Sequence, residues 1–292
     1  MIIYGRKRNI TGCHRVTECT YRAFAYASSG LSRCVHGCLI FLEKNMKNKN
    51  LKPQNTKKQF YFSKAEIILF LAAVIIIVTS FLLFDRRNYL TLCASLIGVT
   101  SIIFNAKGNP IGQLLMLAFS AVYGVISWSF AYYGEMMTYL GMTAPMAIVA
   151  LVSWLKHPSG SRAEVKINKL KPSEYVLAFI LTAAVTFGFY FILEYFDTAN
   201  LVPSTISVAT SFIAAYLTFR RSPFFSLAYA ANDVVLIVLW SLAAAKELSY
   251  VSVIACFSAF LLADVYGFIN WKKLYVTQNP EHAPSESDEN AA

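Results

Sequence analysis

The sequence predicts an all-α polytopic membrane protein with about eight transmembrane helices. Its residues are 57% hydrophobic and only 14% charged, whereas soluble domains carry about 25% charged residues. The apolar residues gather in runs, most of which have the roughly 17–25 residues that cross a bilayer core as a helix. These runs lack the alternation of apolar and polar residues that membrane-spanning strands require. The sequence therefore favours a helical bundle whose core is set by the bilayer.

Eight apolar segments follow one another, and each is expected to form one span. The second is short, and Pro145 removes one backbone hydrogen bond from the fourth, which can kink it. The connection from His157 to Glu174 is the only long one, and it begins with a flexible Pro-Ser-Gly-Ser stretch. The segments are Ile67–Phe84, Tyr89–Phe104, Ile111–Ala131, Met136–Leu155, Tyr175–Leu193, Leu201–Phe219, Pro223–Ala245 and Leu248–Trp271.

The basic residues predict the orientation of the bundle. With eight spans both termini fall on one side, which receives 16 basic residues from Lys47 to Lys273, against Arg86, Arg87 and Lys246 on the other. The positive-inside rule then places both termini in the cytoplasm of a protein of the cell inner (plasma) membrane. Although the net charge is +10, the basic residues lie between apolar runs rather than on one face, so no nucleic-acid partner is expected.

The two ends of the chain differ from its centre. Residues 1–65 form a leader and a basic cytoplasmic segment, and Met46 offers a second start directly before the basic part, so residues 1–45 are expected to be dispensable. Cys13, Cys19, Cys34 and Cys38 have spacings that fit no zinc pattern, and we expect no metal and no cofactor. Residues 66–273 are expected to form the transmembrane domain, and the acidic tail 274–292 is expected to be disordered.

Matching residues about 113 positions apart indicate an internal repeat. Pro110 and Pro223 are 113 apart, and Trp128 and Trp240 are 112 apart, as are Glu135 and Glu247. Spans two to four would then correspond to spans six to eight in the same orientation, with span five as a linker helix and span one as an extra N-terminal helix. Parallel repeats of this 3+1+3 kind occur in transporters, which bind their substrate between the repeats.

Asn232 and Asp233 lie in the middle of the seventh segment. A carboxylate near the bilayer centre costs roughly 2.5–3.5 kcal/mol on insertion scales, so the helix is expected to turn it towards a partner, a cavity or a substrate. Trp240 follows Asn232 at i+8, on the same helix face. An amide two turns from an indole suits a flat, polar, ring-bearing solute. The alternative is that both polar residues only hydrogen-bond neighbouring helices.

Other spans carry further candidate binding residues. Ser120, Ser127 and Trp128 are spaced to share one face of the third span. The alternatives are an interfacial aromatic belt and packing by small residues, but Trp128 and Trp240 are expected to lie deeper than a belt. The remaining candidates are Gln113 and Tyr123 in the third span, Tyr139 in the fourth and Asp264 in the eighth.

Five stretches resemble the PnuC family of nicotinamide riboside transporters, over about Ser63 to Lys273. They imply the 3+1+3 core of the SWEET sugar facilitators, often as a homotrimer. They also imply facilitated diffusion of unphosphorylated nicotinamide riboside, which a cytoplasmic riboside kinase then traps. The stretches are Asn109-Pro110-Ile111-Gly112-Gln113, Tyr132-Tyr133-Gly134-Glu135-Met136, Thr138-Tyr139-Leu140-Gly141-Met142, Ala231-Asn232-Asp233-Val234-Val235 with Trp240, and Asp264-Val265-Tyr266-Gly267-Phe268-Ile269-Asn270-Trp271.

The resemblance implies that aromatic, Asn and Gln side chains of the core bind the substrate. Thiamine, deoxynucleosides and nicotinamide mononucleotide remain alternative solutes, because related members carry different ones. The implied binding residues are Gln113, Tyr123, Trp128, Tyr139, Asn232, Trp240 and Asp264.

The chemistry of these residues suits nicotinamide riboside. Its cationic ring would be attracted by Trp faces, Asn and Gln can pair with a carboxamide or ribose hydroxyls, and Asp233 and Asp264 could favour the positive charge. The spans contain no Arg or Lys cluster for a phosphate. An enzyme is not expected, because all four histidines lie outside the spans and no Walker motif is present. A receptor or assembly subunit remains an alternative.

Overall fold

The computed structural model describes residues 61–86, 88–129, 133–160, 164–198 and 200–279, so residues 1–60 of the leader and 280–292 of the tail lie outside these ranges. Residues 64–65 and 274–278, expected to lie outside the transmembrane domain, belong to its first and last helices. Within them, eight helices are long and apolar enough to cross a membrane, as the sequence predicts. The second span ends at Ala106, two residues later than expected. The helices are α1 (Lys64–Phe84), α2 (Tyr89–Ala106), α3 (Ile111–Ser129), α4 (Tyr133–Lys156), α5 (Pro172–Tyr195), α6 (Leu201–Phe219), α7 (Phe225–Ala244) and α8 (Val251–Gln278).

Local sequence explains where several helices begin. Ser63 caps α1, because its Oγ accepts a hydrogen bond from the Glu66 backbone N–H at 3.2 Å while the Ser63 N–H donates to Glu66 Oε2 at 2.7 Å. This reciprocal pair is a capping box, which satisfies two amide groups that the first turn leaves free. Pro172 occupies the first position of α5, where its missing N–H costs nothing.

Helix α4 changes its winding in the middle. It begins as Tyr133–Met137, passes through a π-helical turn over Thr138–Thr143 and continues as Ala144–Lys156. Pro145 lies two residues after the end of the π turn and has no backbone N–H to continue the regular ladder. The Thr143 hydroxyl donates to the Thr138 carbonyl at 3.2 Å. The expected disturbance at this proline is therefore a local rewinding, and such turns are frequent at functional sites.

The helices form two three-helix units that close on each other. Helices α2, α3 and α4 pack in sequence, as do α6, α7 and α8, and the units meet where α4 packs against α6 and α8 packs against α2. Helix α5 packs on α6, and α1 packs on α8 and α2. Only 17% of the apolar window of α5 and 22% of that of α1 is buried, against 56% for α2. These two helices are peripheral, and their apolar surfaces suit contact with lipid.

At the end where α2, α4 and α6 finish, here called the basic end, the two units make equivalent contacts. The Trp154 indole N–H donates to the Thr218 carbonyl, and the Trp271 indole N–H donates to the Asn105 carbonyl, each at 2.8 Å. Ser153 and Asn270, the residues before the tryptophans, donate to the carbonyls of Phe219 and Ala106 at 2.9 and 2.7 Å. The acceptors Asn105 and Thr218 are 113 positions apart, the same separation as Pro110 and Pro223.

Candidate functional site

A cavity of about 50 Å³ lies between the two units, here called the interior cavity. Four residues predicted from sequence line it together: Tyr139, Asn232, Asp233 and Asp264. They come from α4, α7 and α8, so the crossing of these helices builds the site. The cavity has room for about one water molecule, whereas pockets for small organic ligands usually measure about 300–1,000 Å³.

Helix α6 holds the carboxamide of Asn232. The hydroxyl groups of Thr210 and Ser211 donate to Asn232 Oδ1 at 2.8 and 2.9 Å. Asn232 is only 6% exposed. The two hydroxyl groups therefore satisfy its carbonyl oxygen inside the bundle, where water is excluded. Neither hydroxyl residue is selected from the sequence, because small polar residues are common in membrane helices as packing groups.

The carboxyl groups of Asp233 and Asp264 face each other across α7 and α8, close enough to interact directly. Both residues are buried. Ser226 Oγ donates to Asp264 Oδ1 at 3.4 Å, while Asp233 Oδ2 has no hydrogen-bond donor in the described part of the chain. No ion pair joins either carboxyl group to a described lysine or arginine. The cavity therefore contains acidic groups that no basic side chain balances.

A second, larger cavity of about 710 Å³ lies at the end of the bundle opposite the basic end, here called the far end. Tyr123 and Trp240 line it, and the Trp240 ring centroid lies 5.4 Å from that of Tyr250. The carboxyl groups of Asp85 and Glu247 also line it. Partial burial, together with the charge of Glu247, raises the pKa of Asp85 above its usual value. Arg86 lines it as well. This cavity is large enough for a small organic solute, and its walls carry aromatic rings, two carboxyl groups and one guanidinium group.

Aromatic rings in tilted and edge-to-face contact join the linings of the two cavities. The ring centroids of Tyr123, on the side of the far-end cavity, and Tyr139, on the side of the interior cavity, are 4.5 Å apart. Phe119 lies 5.4 Å from Tyr123 and 5.8 Å from Tyr139, and Phe257 lies 6.4 Å from Tyr123. A solute that passes from the larger cavity to Asn232 must displace at least one of these rings.

Gln113 does not line either cavity. It is buried and its Nε2 donates to Asn105 Oδ1 at 2.8 Å, and Asn105 lines the interior cavity. Gln113 therefore contacts the cavity only through Asn105, whose side chain it orients by this hydrogen bond. Asn105 is not among the residues selected from the sequence. Asn105 lies eight residues before Gln113, on the neighbouring helix α2.

Trp128 is not brought to the site. Its side chain is 50% exposed at the end of α3, and its ring centroid lies 5.4 Å from that of Tyr133. The expectation that it shares a buried face with Ser120 and Ser127 is wrong, since both serines are buried and Trp128 is not. Adjacent helical residues are separated by about 100° around the axis, which turns Trp128 away from Ser127.

Within the described ranges no group of three or more His, Cys, Asp or Glu residues is placed to hold a metal ion. The leader cysteines lie outside these ranges. What the described residues do bring together is a set of aromatic rings, the carboxamides of Asn105 and Asn232, and two carboxyl groups. That set can bind a flat, polar solute through stacking and hydrogen bonds.

Comparisons with known proteins point to one family. The sequence profile of the family described as nicotinamide mononucleotide transporter matches residues 88–273. The nicotinamide riboside transporter PnuC of Neisseria mucosa is 24% identical over 219 residues, which are 73% of this chain and 82% of that protein. PnuC of Haemophilus influenzae is 22% identical over 194 residues, 66% of this chain and 83% of that protein.

A solved structure has the same fold. The crystal structure of the vitamin B3 transporter PnuC superposes with a TM-score of 0.65 at 25% sequence identity, covering 75% of this chain and 94% of the other. The matched region contains α2 to α8 and all eight residues selected from the sequence. The chain is a multi-pass membrane protein that belongs to the nicotinamide mononucleotide transporter family, the family of the PnuC transporters.

Proposed function

We propose that the chain takes up nicotinamide riboside by facilitated diffusion. The observation that carries this proposal is the wall of the interior cavity, where Asn232, Asp233, Asp264 and Tyr139 meet. A carboxamide can pair with the carboxamide or ribose of the riboside, and buried carboxyl groups attract its cationic ring. Curated relatives named as nicotinamide riboside transporters support the same solute.

The charge of the wall favours the riboside over the mononucleotide. Among the described residues, no lysine or arginine lines the interior cavity, and a phosphate bound there would lack its usual partners. The acidic pair would also repel it. Thiamine, which is cationic, and deoxynucleosides, which are neutral, are the remaining candidate solutes.

The solute would enter through the far-end cavity, stack on Trp240 and Tyr123, and reach Asn232 once the rings between the cavities separate. The basic end would face the cytoplasm, because basic residues gather there. A cytoplasmic kinase would then phosphorylate the riboside and so trap it. The family resemblance leads us to expect a homotrimer. In such a trimer the poorly buried helices α1 and α5 would contact lipid or a neighbouring subunit.

Uptake into proteoliposomes tests this proposal. Purified protein should move labelled nicotinamide riboside until the inner and outer concentrations reach equilibrium, without ATP. Excess unlabelled riboside should compete, whereas nicotinamide mononucleotide should not. Efficient uptake of thiamine or a deoxynucleoside in place of the riboside would contradict the assigned solute. If sealed proteoliposomes took up none of these solutes, the proposed transport would be contradicted.

A further inference from the structure

Two buried carboxyl groups meet at the interior cavity without a counter-charge. Asp233 is 4% exposed and Asp264 is 5% exposed, and both line the cavity. Because both carboxyl groups line one cavity of only about 50 Å³, they lie near each other. Two ionised carboxylates can only accept hydrogen bonds, so a hydrogen bond between them requires a proton on one of them.

Among the residues that the structure describes, the groups packed around the pair supply no positive charge. The titratable neighbours are Tyr139 of α4, Tyr229 of α7 and Cys256 of α8, and all three are ordinarily neutral near pH 7. At the cavity, the described residues of α2, α3 and α6 carry no charge. Glu66 of α1 is already paired with Lys107.

Two neighbouring carboxyl groups inside a low-dielectric interior cannot both ionise, because their negative charges repel each other. Even one buried charge without a counter-charge is costly in free energy. Asp233 Oδ2 also lacks a donor in the described part of the chain. The empty cavity is therefore most stable with protons on the pair. A positively charged ring that enters the cavity reverses this preference, because it stabilises the ionised carboxylates.

We propose that Asp233 and Asp264 form a proton-binding site that releases a proton to solvent when a cationic solute binds in the interior cavity. The proposal rests on the proposed function only for the choice of nicotinamide riboside as the probe. Linkage then requires the reciprocal effect: added protons weaken the binding of the cation. For one released proton, affinity falls by up to about tenfold for each unit of decreasing pH, while a solute with an uncharged ring binds independently of pH.

Calorimetric titration of the whole protein counts the released protons, because the measured heat depends on the ionisation enthalpy of the buffer. Nicotinamide riboside should release close to one proton from the wild type, and its dihydro form, whose ring is uncharged, should release none. The double variant Asp233→Asn/Asp264→Asn should abolish the release, whereas the one buried carboxyl group left in either single variant would still carry a proton that the cation displaces. Asp197→Asn is the matched control, since Asp197 is exposed in the α5–α6 connection and has a positive φ of 49° that Asn tolerates.

The outcomes separate this inference from the assigned solute. Riboside binding without proton release overturns the inference and leaves the function standing. If thiamine binds and the riboside does not, the assigned solute is wrong, and the proton count with cationic thiamine decides the inference.

Infrared spectra of the ligand-free protein provide a test that needs no solute. A protonated carboxyl band at neutral pH that disappears in the double variant Asp233→Asn/Asp264→Asn but persists in Asp197→Asn supports the proton site. Absence of that band in the wild type overturns it.

Discussion

The indole rings of Trp154 and Trp271 lie 5.5 Å apart, centroid to centroid, and neither side chain is exposed. Trp154 comes from α4 and donates to the end of α6, while Trp271 comes from α8 and donates to the end of α2. The last helix of each three-helix unit is thus tied to the first helix of the other. These contacts close the basic end while the larger cavity lies at the far end.

Trp154→Phe and Trp271→Phe should destabilise the protein to a similar extent. Each keeps an aromatic ring but removes the N–H donor. The carbonyls of Thr218 and Asn105 still accept from the N–H groups of Arg221 and Gly108, so the loss is that of one neutral hydrogen bond, about 0.5–1.5 kcal/mol. Melting temperatures in detergent measure the effect. Trp128→Phe is the control and should change stability by less than about 0.5 kcal/mol, because Trp128 is half exposed. Equal melting temperatures for all three variants would mean that the indole hydrogen bonds contribute nothing.

Trp240→Ala and Asn232→Ala should weaken riboside binding while the protein stays folded. Loss of the stacking surface should cost about 1–2 kcal/mol, roughly five- to thirtyfold in affinity. Loss of the amide should cost about 1–3 kcal/mol, because a polar edge of the solute is left unpaired. Trp128→Ala should bind as the wild type does, contrary to its assignment from sequence. Titration calorimetry measures the three affinities, and unchanged binding in Trp240→Ala and Asn232→Ala would contradict the proposed site.

Ser211→Ala should lower riboside affinity, because it loosens the carboxamide of Asn232 at the wall of the interior cavity. The Ser211 hydroxyl helps to fix the Asn232 carboxamide, and one neutral hydrogen bond contributes about 0.5–1.5 kcal/mol, or roughly two- to twelvefold in affinity. Ser241→Ala is a matched control, because its hydroxyl bonds only the Ile237 carbonyl on the exposed face of α7. If both substitutions reduce binding equally, the loss has a cause other than the orientation of Asn232.

The sequence predicts the spans and part of the site for physical reasons that differ. Long apolar runs define the helices, because the bilayer leaves few alternatives to a helix. Asp233 and Asp264 are recognisable because an ionisable side chain inside an apolar span is costly in free energy and usually marks a functional site. Asn105 and Thr210 carry no comparable signal, since small polar residues are common in membrane helices as packing groups. Trp128 is misassigned because a spacing of seven or eight residues leaves its direction uncertain, and only the packing of α3 fixes it.

Glu66→Gln should loosen α1 from the rest of the bundle. Glu66 is 2% exposed, lies 3.1 Å from Lys107 Nζ and accepts from the Tyr266 hydroxyl at 3.2 Å. The neutral amide leaves Lys107 without its partner, at about 1–3 kcal/mol for a hydrogen-bonded charged group. The double variant Glu66→Gln with Lys107→Met should recover part of this loss, because no unpaired charge remains. Thermal unfolding of the single and double variants measures the coupling, and strictly additive losses would show that the pair does not act as a unit.

The basic end should face the cytoplasm. Lys107, Lys156 and Arg220 lie at or next to the ends of α2, α4 and α6, and the positive-inside rule retains such residues on the cytoplasmic side. A reporter fused after Lys273 should therefore be active only in an assay that requires the cytoplasm. The same reporter inserted in the α5–α6 connection should be active only in an assay that requires the exterior. Five helices, an odd number, precede this connection, so it lies on the side opposite the termini. Reversed activity at both points would show that the orientation is the opposite one. The larger cavity would then open to the cytoplasm and serve as the exit for the solute.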